Sequence, residues 1–339
     1  MADDTPAADF AKAAQQPGSP TFDFEAAVSE FYDTYPDRTN SVYFVDVSTG
    51  NIAHPDPQAV MELINLMQSE QGKQTLQPIF AHCQKQKTSY CQTDDHGNSI
   101  VFIYTADDRP RFFDGSVTPA QELQFIFDHE TGHAIVPEAG SRDRLVAENA
   151  ADAFALIRNI QRNGADPVLA EQLMLFRTRH ALYNTSGMIN FSGPTVEKIN
   201  ESQDRIAAAG VNAQQAISLA GAFASHYTPN TGEAQHLFES FEKLHGQTPL
   251  GELTNIVLTT PFPDTFKWTS TVLKAILEKK IATPKGLEEE FNDEAAKTLP
   301  PKIAERAAKL ADYDFIGEVL RDKPMPKGTA PFLNGHPKA

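Results

Sequence analysis

The chain has 339 residues, which is enough for two domains, or for one domain with two lobes, and for a sizeable hydrophobic core. Hydrophobic residues make up 40% of the sequence and charged residues 22%, and no apolar stretch is long enough to cross a membrane. The formal net charge is −16, and no basic run is interleaved with aromatic residues. We therefore predict a globular protein with neither a membrane span nor a nucleic-acid partner.

The first residues and the cysteines bear on the compartment. The start, Met1-Ala-Asp-Asp-Thr-Pro, carries two acids where a secretory signal would carry positive charge, and no apolar stretch follows. We expect a cytoplasmic protein, with leaderless export as an effector as an open alternative. Cys83 and Cys91 are the only cysteines, which fits a reducing compartment. Two free thiols are the simplest interpretation, and a second metal site with His82 and His96 is the alternative.

Composition divides the chain into four parts. Residues 1–20 are poor in large apolar side chains, and residues 323–339 are dense in helix breakers, so both ends are predicted to be disordered tails. Between the tails we predict an N-terminal lobe at residues 21–165 and a helical lobe at residues 166–322.

The pattern of the N-terminal lobe predicts strands first and helices later. Ser41–Val47 and Ser99–Thr105 are short runs of β-branched and aromatic residues bounded by turn formers, which is typical of strands. Helix start signals follow at Thr118-Pro119, Ser141, Asp166-Pro167 and Pro194. Further helices are predicted at about 196–209, 212–226, 233–245, 264–282 and 301–321. The expected fold class is α+β, rich in helices, with one small sheet.

The helix that begins at Thr118 carries the most informative motif. Thr118 can cap it, Pro119 suits its first position and Gln121 completes a capping box, so it should run to about Val136. Its last turns contain His-Glu-Thr-Gly-His at residues 129–133.

The spacing of this motif places its two histidines on one face. At about 100° per residue, His129 and His133 lie only about 40° apart around the helix, so both imidazoles can bind one tetrahedral zinc ion. Glu130 projects beside them and is our candidate catalytic base. One zinc ion per chain is the expected cofactor.

A third zinc ligand is expected from the next helix. The helix predicted at Leu145–Leu156 has an apolar face that also contains Glu148 and Asp152. Burying two unpaired carboxylates on that face would lower the stability of the fold. Coordination by Glu148 would remove that cost, while Asp152 could orient a ligand histidine from behind. Glu138 and Asp143 remain alternative third ligands.

These residues resemble the gluzincins, whose His-Glu-x-x-His motif is followed on a later helix by Glu-x-x-x-Asp. The run from Glu148 to Ala155 also looks like the third-ligand helix of ImmA/IrrE-type metallopeptidases. Metzincins are excluded, because Val136 and Ala139 stand where their motif has a Gly and a third His. The resemblance implies a zincin-like fold and a zinc-dependent hydrolase of peptide bonds in a protein or peptide substrate, with Glu130 as general base.

The resemblance also suggests where substrate would bind. The strand before the active-site helix usually borders the cleft, so residues 99–105 are the expected edge that pairs with extended substrate. Donors for the oxyanion could come from the helical lobe, which offers His180, Tyr183, His226 and Tyr227.

Two other functions remain open at this stage. One is a catalytically inactive zincin-like protein that binds a partner or regulates it through the helical lobe. The other is a helical scaffold with a chance motif. No heptad pattern or self-complementary strand indicates the oligomeric state.

Overall fold

The computed structural model describes residues 21–113, 115–183, 190–229 and 232. Within these ranges the chain forms eight α-helices and one four-stranded mixed sheet, which confirms the prediction of a helix-rich α+β protein. The predicted tails and the predicted helices at 233–245, 264–282 and 301–321 lie outside the described residues.

The sheet follows a first helix, α1 (Phe24–Thr34), which begins after Asp23 because the Asp23 carboxylate accepts the backbone N–H of Ala26. Its strands are β1 (Val42–Asp46), β2 (Ile52–Ala53), β3 (Tyr90–Thr93) and β4 (Ser99–Ile103). Their order is β2-β1-β4-β3, with β1 and β4 parallel and the two outer pairs antiparallel. The predicted strands at Ser41–Val47 and Ser99–Thr105 are therefore confirmed as β1 and β4.

The prediction that residues 99–105 form a free edge is wrong. β4 pairs with β1 on one side and with β3 on the other, so β4 is an inner strand and β3 is the edge strand next to it. The cause is a tight turn after β3, where the Asp94 carboxylate accepts the backbone N–H groups of His96 and Asn98 and Gly97 adopts a φ of 83°. This turn folds β3 back onto β4.

Each face of the sheet is covered by helices. α2 (Pro57–Gln68) and α3 (Glu70–Gln86) cover one face, and neither helix was predicted from the sequence. They bury a cluster that includes Leu63, Leu76 and Cys83 against Phe102. On the opposite face, α4 (Pro119–Ile135) places Phe127 against Phe44 of β1, with the ring centroids 5.1 Å apart.

Helix α4 begins as predicted. Thr118 caps it, and the reciprocal capping box with Gln121 is present. After a 3₁₀ turn at Pro137–Gly140 the chain enters α5 (Arg144–Asn163). The prediction that Ser141 caps α5 is wrong, because the 3₁₀ turn delays the helix and the Asp143 carboxylate accepts the backbone N–H of Leu145 instead.

The remaining described helices pack around α5. They are α6 (Pro167–Tyr183), α7 (Gly193–Ala209) and α8 (Ala213–Tyr227), and they agree with the predicted start signals and segments. One hydrophobic core extends from Phe24 of α1 to Tyr227 of α8, so it continues across position 165, where we placed the boundary between lobes.

No helix within the described ranges combines the length and the apolar character that crossing a membrane requires.

Candidate metal centre

The site is built where α4 and α5 pack closely against each other. At the contact point α4 has Gly132, and a Cβ atom there would lie 3.0 Å from the Cα atom of Ala151 and 3.3 Å from the Cβ atom of Phe154 on α5. Glycine in the His-Glu-Thr-Gly-His segment therefore sets the distance between the two helices. That distance decides whether Glu148 of α5 can reach the histidines of α4.

Replacing Gly132 by Ala is expected to lower the free energy of unfolding by about 1–3 kcal/mol and to weaken zinc binding, because the added methyl group pushes against backbone atoms that cannot rotate away. Urea unfolding and a competition titration with a zinc chelator measure the two effects. Gly140→Ala is the matched control, since a Cβ atom at Gly140 meets nothing within 4 Å. Unchanged stability and unchanged zinc affinity in the Gly132 variant would contradict this account of the helix contact.

The structure brings the three predicted metal ligands together. Nε2 of His129 lies 3.6 Å from Oε2 of Glu148, and Nε2 of His133 lies 3.8 Å from Oε1 of the same carboxylate. One ligand atom from each of the three residues lies within 4.8 Å of the ligand atoms of the other two. Among the described residues, this is the one group of three or more His, Cys, Asp or Glu residues with such geometry.

The ligand side chains are partly buried but still open to a cleft. The exposed fractions are 11% for His129, 18% for His133 and 19% for Glu148. This combination suits a catalytic metal, which needs firmly held ligands on one side and an open coordination position on the other.

The alternative third ligands have other roles. Asp143 caps α5, and the Glu138 carboxylate packs against Gly221 of α8, where a Cβ atom would overlap it. Glu148 is therefore the carboxylate that the fold directs at the two histidines.

The alternative metal site at the cysteines does not form either. Cys83 and Cys91 pack into different hydrophobic clusters on opposite faces of the sheet, and no metal-type group among the described residues includes them, His82 or His96.

Asp152 lies behind His129, one turn of α5 beyond Glu148. Its Oδ1 atom is 2.8 Å from Nδ1 of His129, while Nε2 of the same ring faces Glu148. The carboxylate is fully buried. It therefore occupies the position from which a carboxylate fixes the orientation and tautomer of a ligand histidine.

Two residues that the sequence did not reveal hold Asp152 in place. Arg177 of α6 donates from Nε and Nη2 to the two carboxylate oxygens, at 2.8 and 2.7 Å, and Ser192 donates its hydroxyl at 2.5 Å. Nη2 of Arg177 also lies 3.7 Å from Oε2 of Glu148. A buried carboxylate on α5 indicates that a cationic partner is needed, but nothing in the sequence shows which cation reaches it.

The charges of this network reinforce one another. Burial alone would raise the pKa of Asp152, but Arg177 and His129 outweigh it and hold that pKa well below its usual range. Burial likewise acts to lower the pKa of His129, and the Asp152 carboxylate reverses the effect, so the net pKa of His129 is raised. The pKa of His133 falls to about 4, because burial and the charge on His129 disfavour its protonation.

Glu130 lines the same cleft, next to the ligands and to the edge strand. Burial raises the pKa of its carboxyl group to about 7, the Glu148 carboxylate adds to the increase, and His129 and the backbone N–H of Cys91 on β3 oppose it. A carboxyl group that exchanges its proton near neutral pH suits acid–base chemistry.

The raised pKa of Glu130 predicts a pH-dependent stability difference in protein stripped of metal with EDTA. The native state holds the Glu130 proton up to about pH 7, whereas the unfolded chain releases it near its usual value of 4.5. Ionisation of Glu130 therefore lowers the free energy of unfolding as pH rises from about 4.5 to about 7. Glu130→Gln is expected to be more stable than the parent by about 1–3 kcal/mol at pH 8, with no difference at pH 4. Urea midpoints that coincide at pH 8 would exclude this assignment.

The cleft has a volume of about 1050 Å³. Its walls come from β3, from the segment after β4, and from α4, α5 and α6, so it extends well beyond the three ligands. His226 and Tyr227 are not among the residues that line it. The side chains of His180 and Tyr183 lie outside the described residues.

Comparison with known proteins does not assign this chain to a family. No family model, no curated protein and no solved structure matches this chain. The likeness to gluzincins therefore rests on the motif residues themselves, and the function must be argued from the geometry of the site.

Proposed function

We propose that this protein is a zinc-dependent metallopeptidase with a zincin-like catalytic lobe, which hydrolyses peptide bonds of a protein or peptide substrate. The observation that carries the proposal is the convergence of His129, His133 and Glu148 beside Glu130 in one cleft. Two imidazoles and a carboxylate are the ligand set of many catalytic zinc sites.

The donor set fits zinc better than a harder cation. Calcium and magnesium prefer six or more oxygen ligands, whereas this site offers two nitrogens and one carboxylate. The buried chain from Arg177 through Asp152 to Nδ1 of His129 leaves Nε2 of that ring for the metal. Zinc held there would supply Lewis acidity, which acidifies a water molecule and polarises a carbonyl group.

Glu130 carries the proton in this proposal. It is not one of the three proposed metal ligands, and it lines the same cleft as they do. The carboxylate would take a proton from the attacking water and later deliver it to the departing amine, so that no covalent intermediate with the protein is needed.

The edge strand β3 can position an extended substrate. Its outer side pairs with no strand among the described residues, and Tyr90, Cys91, Gln92 and Thr93 all line the cleft. A peptide that paired with this edge would run past Glu130, because the backbone of Cys91 reaches the Glu130 carboxylate. β3 thus replaces residues 99–105 as the expected substrate edge.

The direct test is zinc content together with chelator-sensitive hydrolysis. Protein purified without added metal should contain about one zinc per chain by mass spectrometry, and it should cleave an unfolded protein such as casein until a chelator removes the zinc. Absence of zinc even after reconstitution would refute the proposal and favour a helical interaction protein. Stoichiometric zinc without any hydrolysis would favour the inactive binding protein.

A further inference from the structure

Several basic residues line the cleft of this acidic chain. The chain carries a formal net charge of −16. The basic residues that line the cleft are Arg38, Lys87, Arg109, Arg144 and Arg177. Its acidic lining residues are Asp94, Glu130 and Glu148. The lining thus contains two more basic than acidic residues, before the carboxylates that pair with some of these cations are counted.

Three of these cations are already neutralised by carboxylates of the protein. The pairs are Lys87 with Asp108 at 2.6 Å, Arg109 with Glu122 at 2.6 Å and Arg177 with Asp152 at 2.7 Å. These three positive charges hold the walls of the cleft, so an anion that enters would meet Arg38, Arg144 and a bound metal ion. Arg38 and Arg144 are different in this respect.

Arg144 is the first residue of α5, one helical turn before Glu148. It is exposed, and no carboxylate of the described residues lies within 4.0 Å of its guanidinium. An Arg–Glu pair four residues apart would normally attract each other on a helix surface. Here Glu148 turns to the histidines, which leaves the guanidinium of Arg144 available at the rim.

Arg38 lies on a different wall, in the 3₁₀ turn Pro36–Arg38 before β1. Its Nε atom is buried and has no hydrogen-bond partner among the described residues. Its one carboxylate contact is a 3.6 Å approach of Asp37, whose side chain is 76% exposed. The Arg38 side chain is 37% exposed, so an anionic partner in the cleft can reach it, and that partner would supply the hydrogen-bond acceptor that Nε lacks.

We propose that Arg38 and Arg144 form an anion-recognising rim that selects acidic polypeptide segments, with Asp or Glu side chains beside the bond presented to the metal centre. The inference rests on the proposed function and specifies its substrate class. The negative charge of the remaining surface repels such a segment, so the rim would determine where and in which orientation it binds.

The test compares binding of two labelled peptides that differ only in charge. One contains several Glu residues, and the other has Gln at the same positions. Zinc-loaded full-length Glu130→Gln protein is used so that peptide is not consumed, and fluorescence anisotropy reports the dissociation constant at low and high salt. We expect the Glu peptide to bind at least about 5-fold more tightly at low salt, with the preference reduced by salt.

Variants identify the groups responsible. Arg38→Gln and Arg144→Gln, each made in the Glu130→Gln background, should reduce the preference by about 2- to 5-fold, and the combination should abolish it. Arg142→Gln is the matched control, because Arg142 is also exposed, is two residues from Arg144 and does not line the cleft. Thermal unfolding of each variant verifies that the fold is retained.

The outcomes separate this inference from the proposed function. The rim proposal is wrong if the two peptides bind equally, or if the preference for the Glu peptide remains after both arginines are replaced. Either result would stand even if the active protein hydrolyses peptides. A charge preference that depends on Arg38 and Arg144 supports the rim. If the active protein then cleaves neither peptide nor an unfolded protein, peptide hydrolysis fails as the function while acidic recognition stands.

Discussion

Replacing Glu130 by Gln is expected to slow peptide hydrolysis by about a hundred-fold to ten-thousand-fold while one zinc per chain is retained. The physical reason is that the amide has nearly the shape of the carboxylate but cannot accept the proton of the attacking water. His129, His133 and Glu148 keep their positions, because the ion pairs that hold them do not involve Glu130. Initial rates with an unfolded protein substrate, measured alongside zinc content, give both quantities.

A control for this experiment lies a few residues further along the chain. Glu138 is half-buried, follows α4 directly and packs against α8 rather than into the cleft. Glu138→Gln should therefore leave the rate within about 2-fold of the parent, as is usual for a change outside the site. If Glu130→Gln also retained the full rate, Glu130 would not be the base, and the peptidase mechanism proposed here would be wrong.

His133→Ala and Glu148→Ala are each expected to weaken zinc binding by more than about 100-fold. Loss of a residue that only supports a ligand already costs about 10- to 100-fold, and these two residues are proposed to contact the metal itself. Both side chains are more than four-fifths buried, with exposed fractions of 18% and 19%, so no neighbouring water-exposed group can simply replace them. Chelator competition followed by mass spectrometry measures the change.

The same experiment distinguishes Glu148 from the other acids considered as ligands. Glu138→Ala should keep its zinc, because the Glu138 carboxylate contacts α8. Zinc loss in the Glu138 variant, with retention in the Glu148 variant, would reverse the ligand assignment. Zinc retention in all variants would show that the metal, if bound, lies elsewhere.

The sequence predicted the local features that are determined by neighbours along the chain. Thr118 and Gln121 define the start of α4, because the side chain of each accepts the backbone N–H of the other, and Pro119 suits the first helical position. The spacing of His129 and His133 follows from the helical repeat alone. Glu148 could be chosen because a carboxylate stands out on an apolar helix face, even though its distance to the histidines depends on packing.

Some local signals were misleading or too weak. The Asp56-Pro57 start signal before α2 was missed, and α3 contains Pro78 in its interior, where proline usually ends a helix. β3 reads Tyr-Cys-Gln-Thr and is only four residues long, so its pattern does not distinguish it from a loop. These elements are stabilised by tertiary contacts: β3 pairs with β4, and α2 and α3 pack against the sheet.

The helix that carries the motif, its cap and the histidine pair were determined by the sequence itself, because they depend on interactions within a few residues. Tertiary structure alone decided that Arg177 and Ser192 hold Asp152, since these partners are 25 and 40 positions away and meet it only through the packing of the helices. It also decided that β3, rather than β4, is the edge beside Glu130. Partners distant in sequence are selected by burial and charge in three dimensions, and no local pattern records that selection.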